Sequence, residues 1–236
     1  MNNLIKNNWN NNNLKDFYDL LIKYKKDDRI LWTTNIVNTK MNVLAVPSDI
    51  TKEISKYIYK GNYLSFLDLM PSKYYEATIV DGYLISKIKD FNLQKKYILL
   101  FSKHIDNWAS VDTLKYNIKG FEKQYLEFSK SLIKSKKTFE RRIGVRILFS
   151  FTKFDEYIDE IYSIMDSLYS ECEYYVNMAN AWLFCEMFIK NRNKTLCYLK
   201  NHHLNKFTIN KGISKCCDSF RVSNEDKLLL KKYIVK

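Results

Sequence analysis

Tight turns between strands depend on glycine and proline, and this chain holds five glycines and two prolines in 236 residues. Strand alternation is also hard to find, although Tyr, Ile and Phe are plentiful. Apolar residues recur instead at intervals of three and four, as at Leu14, Phe17, Tyr18, Leu21 and Tyr24, which marks one face of a helix. A chain of this length can bury a substantial core. The expected class is all-α.

Long helical stretches are predicted to begin near Ser72, Asn107, Thr138, Glu173 and Phe207, at spacings of 31 to 35 residues, with a shorter helix between successive members. Such spacing suits stacked helix pairs better than a globin or a four-helix bundle. Pairs of this size gain a core only by stacking. The expected architecture is therefore a curved α-solenoid of HEAT-like antiparallel helix pairs, a single domain over residues 14–236. Ahead of it, residues 1–13 read as a low-complexity, Asn-rich leader. The leader is predicted to fray, so that its removal leaves stability unchanged. Residues 27–47 read as a connection with a short helix that ends at Pro47. Ser48 or Asp49 can then cap a helix through Tyr59, stopped by Gly61-Asn62.

The formal charge is +13 and the pI is near 9.3, which speaks of partners rather than of fold. It suggests a polyanion: nucleic acid, an acidic protein or an anionic membrane. A lysine- and asparagine-rich proteome would produce the same excess. The five cysteines form no CxxC pair and fit a reducing cytoplasm, as small buried hydrophobes. MNNLIKNNWNNNN lacks the apolar core of a signal peptide, and no run of 18 apolar residues reads as a membrane span. His104, His202 and His203 show no metal-ligand spacing. P-loop, Rossmann and GxSxG patterns are missing. The expectation is a cytoplasmic, monomeric protein with no metal, no nucleotide cofactor and no membrane partner.

Three stretches carry candidate chemistry. In NWASVD, Asn107 can cap a helix, which puts Trp108 and Asp112 four apart on one face. In TFERRIGVRILFSF, Phe139, Ile143, Ile147 and Phe151 make an apolar face, while Arg142 and Arg146 lie on another. Those arginines fit a solvated face or a phosphate clamp, since guanidinium offers fixed bidentate donors. EYYVNMANAWLFCEMFIK is apolar nearly all round, so Trp182 belongs to a central helix, either in the core or at a cleft wall where its N–H finds a partner.

With NWASVD at 107–112, FERRIGVRILF at 139–149, YYVNMANAWLFCE at 174–186 and INKGISKCCDSFRVSNEDK at 209–227, the chain resembles the DNA alkylation repair family of HEAT-like DNA glycosylases, the AlkD-like proteins. NTKMNVLAVP and YYEATIVDGYLISKIKD upstream look like the same family. The resemblance implies a site with Trp108, Asp112 and Trp182 as catalytic residues, and Arg142 on the DNA, with Phe139 where the family's W-x-x-R pattern has tryptophan. Arg146 and Lys52 join Arg142 as expected DNA-binding residues. The sequence departs from the family at Cys185, which takes the place of an arginine in a WxLRE-like segment. It departs again at LAVPSDITK, where Ala45 stands for a glycine and Lys52 for an arginine.

The implied activity is excision of N3- or N7-alkylated, positively charged purines from duplex DNA, without a cofactor. Asp112 would stabilise the sugar cation and orient water, and the indoles would offer π faces to positive charge. Two other classes fit the sequence. A non-catalytic helical module that binds DNA or RNA needs only the lysines and Arg142, and a protein-binding scaffold would expose an apolar groove.

Overall fold

The computed structural model describes residues 1–236, and every regular element in it is a helix. Backbone contacts divide the chain into two compact units, Met1–Phe121 and Glu122–Lys236. No helix is long and apolar enough to cross a membrane.

The first unit holds α1 (Leu14–Lys23), α2 (Ile30–Val37), α3 (Ser48–Tyr59), α4 (Tyr63–Leu69), α5 (Tyr75–Ile85), α6 (Phe91–Phe101) and α7 (Trp108–Asp112). Its centre is α5, which packs against α3, α4, α6 and α7. The sequence of α5 explains this position. YEATIVDGYLI has apolar or small residues on all sides, and nine of its eleven residues, the acids Glu76 and Asp81 among them, are buried. Gly82 lets α7 approach, because a Cβ there would collide with the Thr113 hydroxyl. Asn62, Asp90 and Asn107 cap α4, α6 and α7 by accepting the backbone N–H three residues on, as short polar side chains do at helix starts.

The second unit holds α8 (Glu122–Ile133), α9 (Thr138–Leu148), α10 (Ile158–Asp166), α11 (Tyr174–Lys190), α12 (Arg192–Tyr198), α13 (Lys206–Asp218) and α14 (Asn224–Lys231). Here α8, α9, α11 and α13 form a row of packed neighbours, the arrangement that stacked helix pairs produce. The starts of α9, α11 and α13 fall within a residue of those predicted. The all-round apolar α11 lies inside the row, with eleven of its seventeen residues buried.

Two expectations are corrected. The Asn-rich leader does not fray. Leu4 and Trp9 are buried, and the Trp9 ring meets Phe66 edge-on at 5.0 Å. The Lys6 carbonyl accepts the Asn62 N–H at 2.7 Å, and Lys6 Nζ pairs with Asp16 at 2.7 Å. Gly61 leaves room for that strand of backbone, since a Cβ would strike Lys6. Two apolar side chains among the asparagines are enough to anchor the segment. The second correction is the helix expected from Asn107, which runs only to Asp112. Side chains of neighbouring helices capture the backbone beyond it. The Lys115 N–H donates to Ser86 Oγ at 2.8 Å, and its carbonyl accepts from Gln94 Nε2 at 3.1 Å.

Cysteine burial is mixed rather than uniform. Cys185 and Cys216 are buried, but Cys172 and Cys197 are exposed and Cys217 is half-buried.

Candidate functional site

In the first unit, the Asn107 cap is fully buried. Its Oδ1 accepts both the Ser110 N–H, at 2.8 Å, and the Ser110 hydroxyl, at 2.9 Å. The Ser110 hydroxyl lies 2.6 Å from that of Thr78 on α5, so the first turn of α7 is fastened to the centre of the unit. Trp108 and Asp112 project from this turn and both are half-exposed. The Trp108 indole is fixed at its polar end, where Nε1 donates to the Ile36 carbonyl of α2 at 3.2 Å. Asp106, just ahead of the cap, accepts the Lys40 N–H at 2.7 Å and ties the chain after α2 to the same corner.

The segment LAVPSDITK runs into α3, with Lys52 exposed on that helix. Ala45 adopts φ +56°, a left-handed conformation that suits the glycine the resemblance implies there. Glu76 of α5 holds the backbone there. Its carboxylate is buried and accepts the Leu44 N–H at 3.1 Å and the Val46 N–H at 3.3 Å. Burial pushes the Glu76 carboxyl above its ordinary range, against the opposing pull of those amides. Beside this segment lies a cavity of about 690 Å³, walled by Lys26, Arg29, Trp32, Ser48 and Tyr75 among others.

In the second unit, Arg142 is only 4% exposed, and its Nη1 donates to the Tyr175 carbonyl of α11 at 2.7 Å. Arg146, one turn on, lies between two rings, its guanidinium carbon 4.2 Å from the Phe149 centroid and 4.4 Å from that of Trp182. The two rings meet edge-on at 5.0 Å. Trp182 is half-buried, and Glu186 stands four residues on in the same helix. Glu186 is held by the Arg221 guanidinium, with Nη1 at 3.2 Å, and by Lys190 at 3.7 Å. Burial pushes the Glu186 carboxyl up, but the Arg221 hydrogen bond and charge outweigh it and hold it below the usual carboxylate range. Cys185, where the resemblance implies an arginine, is buried. The guanidinium that neighbours Glu186 therefore comes from Arg221, in the tail.

Within single units, then, the fold brings together Trp108 with Asp112, and Arg146 with Trp182. Sequence reasoning missed Glu76, Glu186 and Arg221. The spacing of Glu186 four residues after Trp182 is a usable signal for a shared helix face. Nothing local in the sequence links Arg221 to Glu186, thirty-five residues away, or Glu76 to the backbone of Leu44.

Residues 19–216 match the model of the DNA alkylation repair enzyme family. This defines the class: a DNA repair enzyme built entirely of helices. The match spans most of the chain, and the chain belongs to that family. No curated protein matches it.

Proposed function

We propose that the protein is a DNA glycosylase that releases purines alkylated at N3 or N7 from duplex DNA. Such purines carry positive charge, so the bond from C1′ to the base nitrogen is weakened before any enzyme acts. Water attacks C1′, the glycosidic bond breaks, and its electron pair neutralises the departing base. In this reading Asp112 stabilises positive charge developing on the sugar and orients or deprotonates the water. Trp108 offers an apolar wall and a π face, worth about 0.5–2 kcal/mol toward a cation. Its anchored N–H keeps the ring from turning away.

Trp182, in the second unit, offers another π face, and its ring already carries one cation, the Arg146 guanidinium. Lys52, exposed on α3, supplies positive charge toward the DNA backbone in the first unit, and Arg146 does so in the second. Arg142, 4% exposed and donating to the Tyr175 carbonyl, holds α9 to α11 instead of meeting phosphate. Stacking fixes the plane of the Arg146 guanidinium, which favours directional hydrogen bonds over diffuse attraction. The observation that carries the reading is the pairing of Trp108 and Asp112, half-exposed on a turn whose cap is completely buried.

The test is base release from methylated duplex DNA. Wild-type protein is expected to liberate 7-methylguanine or 3-methyladenine. Asp112→Asn is expected to abolish release while duplex binding persists. Unchanged release by the variant overturns the role of Asp112. Tight binding by wild-type protein with no release at all favours a non-catalytic DNA-binding module.

A further inference from the structure

α2 reads ILWTTNIV, yet Val37 is its single buried residue. Leu31 is 73% exposed, Trp32 61% and Ile36 48%. Trp32 and Ile36 lie four apart and share a face, which makes an apolar ridge, and Leu31, adjacent to Trp32 in the chain, extends the exposed apolar surface around the helix. Three large apolar side chains gathered in water mark a surface that something covers.

The charges around the ridge say what. The run from Lys23 to Arg29 places four cations against Asp27 and Asp28. Lys26 and Arg29 share the walls of the 690 Å³ cavity with Trp32, as do Asp28 and the buried Glu76. Lys25 pairs with Asp27 at 2.6 Å and Arg29 with Asp28 at 4.0 Å, and the run beside the ridge keeps an excess of positive charge. The ridge is also joined to the candidate site, because the Ile36 carbonyl receives the Trp108 indole N–H at 3.2 Å. Apolar side chains flanked by cations are what a groove-reading wedge presents to DNA, where side chains of this kind part base steps and basic residues hold the phosphates.

We propose that α2 is such a wedge. Leu31 and Trp32 enter a groove of the duplex and unstack a base step beside the lesion, while Lys26 and Arg29 take the flanking phosphates. The inference deepens the reading above and rests on it only for the choice of duplex DNA as ligand. Unstacking beside the lesion would free the sugar to flatten as its base departs.

The test uses full-length protein and an uncleavable duplex that carries a tetrahydrofuran abasic analogue next to 2-aminopurine, whose fluorescence rises on unstacking. Wild-type protein is expected to raise the fluorescence. Trp32→Ala, at an exposed position where folding is spared, is expected to lose the rise and to weaken binding about tenfold, as for one lost base–aromatic stack. Because no charge is removed, its slope of log Kd against log salt should match the wild type. Arg29→Ala should keep the rise and reduce that slope by about one. A rise with wild-type protein that releases no methylated base supports the wedge and overturns the glycosylase reading. Absence of a rise with wild-type protein, or an equal rise with Trp32→Ala, overturns the wedge. So does a dimer that Trp32→Ala converts to monomer in sedimentation, which would make a second copy the occupant of the ridge.

Discussion

In the first unit the candidate tryptophan and carboxylate stand on a helix of five residues, whereas in the second the candidate tryptophan and arginines stand on helices of seventeen and eleven. The short helix cannot hold itself, since so brief a segment has almost no internal hydrogen bonds. Neutral side chains hold it and the loop that follows. Gln94 Nε2 reaches the carbonyls of Ile85, Ile88 and Lys115 at 3.0–3.2 Å, and Asn107 and Ser86 take up further backbone groups. The long helices of the second unit support themselves and are aligned by charge. Arg141 of α9 grips Glu171, just ahead of α11, through Nε at 2.6 Å and Nη2 at 3.2 Å. Glu171 Oε1 also accepts the N–H groups of Cys172 and Glu173 at 3.0 and 2.9 Å. Uncharged hydrogen bonds thus hold α7 and the loop after it, although the carboxylates of Asp106 and Glu76 hold neighbouring backbone in the same unit. An ion pair instead ties α9 to the start of α11, so the two arrangements should answer differently to mutation and to pH.

The largest effect is expected where the leader closes the first unit. Trp9 is 3% exposed and packs on Phe66, which also meets Phe17 at 5.0 Å. Trp9→Ala should cost about 3–5 kcal/mol, the range for losing a large aromatic from a core. Trp9→Phe should cost clearly less, because the indole N–H is buried without a hydrogen-bond partner and its removal relieves an unmet donor. Chemical denaturation of both variants decides the matter. A Trp9→Ala curve that overlays the wild type would return the leader to a frayed tail.

A matched pair of variants tests the contrast itself. Gln94→Leu strips three carbonyls of their donor and should cost about 3 kcal/mol, by the same amount at every pH between 3 and 8. Glu171→Gln should cost about 2 kcal/mol near neutrality, as for one broken, partly buried ion pair. Burial pushes the Glu171 carboxyl up, but its Arg141 hydrogen bond and neighbouring amides bring it below the ordinary value. A depressed folded pKa gives stability that is present above the unfolded value, roughly pH 4.3, and lost as pH falls through the folded one. The cost of Glu171→Gln should therefore shrink as the solution is acidified below that point. Equal pH profiles for the two variants would dissolve the distinction between the two arrangements.

How much of this was legible in the sequence follows the same division. Helix starts at Ser48, Thr138 and Tyr174, and the cap at Asn107, are encoded within a few residues, and they were readable. So was the buried character of α11, because an all-round apolar stretch has no solvent face to offer. The burial of Trp9 was hidden by the asparagines around it, since its partner Phe66 lies more than fifty residues away. The early end of α7 depends on Gln94 and Ser86, which compete for its backbone from other helices. Trp108, Asp112 and Trp182 stand out as candidates because tryptophan and aspartate at these spacings resemble a family pattern. Arg142 illustrates the limit: its place on α9 was plain, but its burial and its bond to the Tyr175 carbonyl come from packing against α11.

The smallest expected effect concerns Ala45, where the first unit holds a backbone conformation that its own residue disfavours. A left-handed alanine costs roughly 1–2 kcal/mol, and glycine at that position would remove the cost at an unfolded-state penalty of about 0.4–1 kcal/mol. Ala45→Gly should thus stabilise the protein by up to about 1 kcal/mol, seen as a rise of roughly 2–4 °C in Tm for a chain of this size. The gain should survive in a Glu76→Gln background if the strain belongs to Ala45 alone. If Glu76 is what forces the turn, by drawing the amides of Leu44 and Val46 onto one carboxylate, the gain should shrink when that carboxylate is lost, because the segment can then relax. A double-mutant cycle on thermal melts separates these outcomes. A coupling near zero would show that the turn is set by the chain itself, and a large one that a buried acid on α5 sets the path of the segment leading to α3.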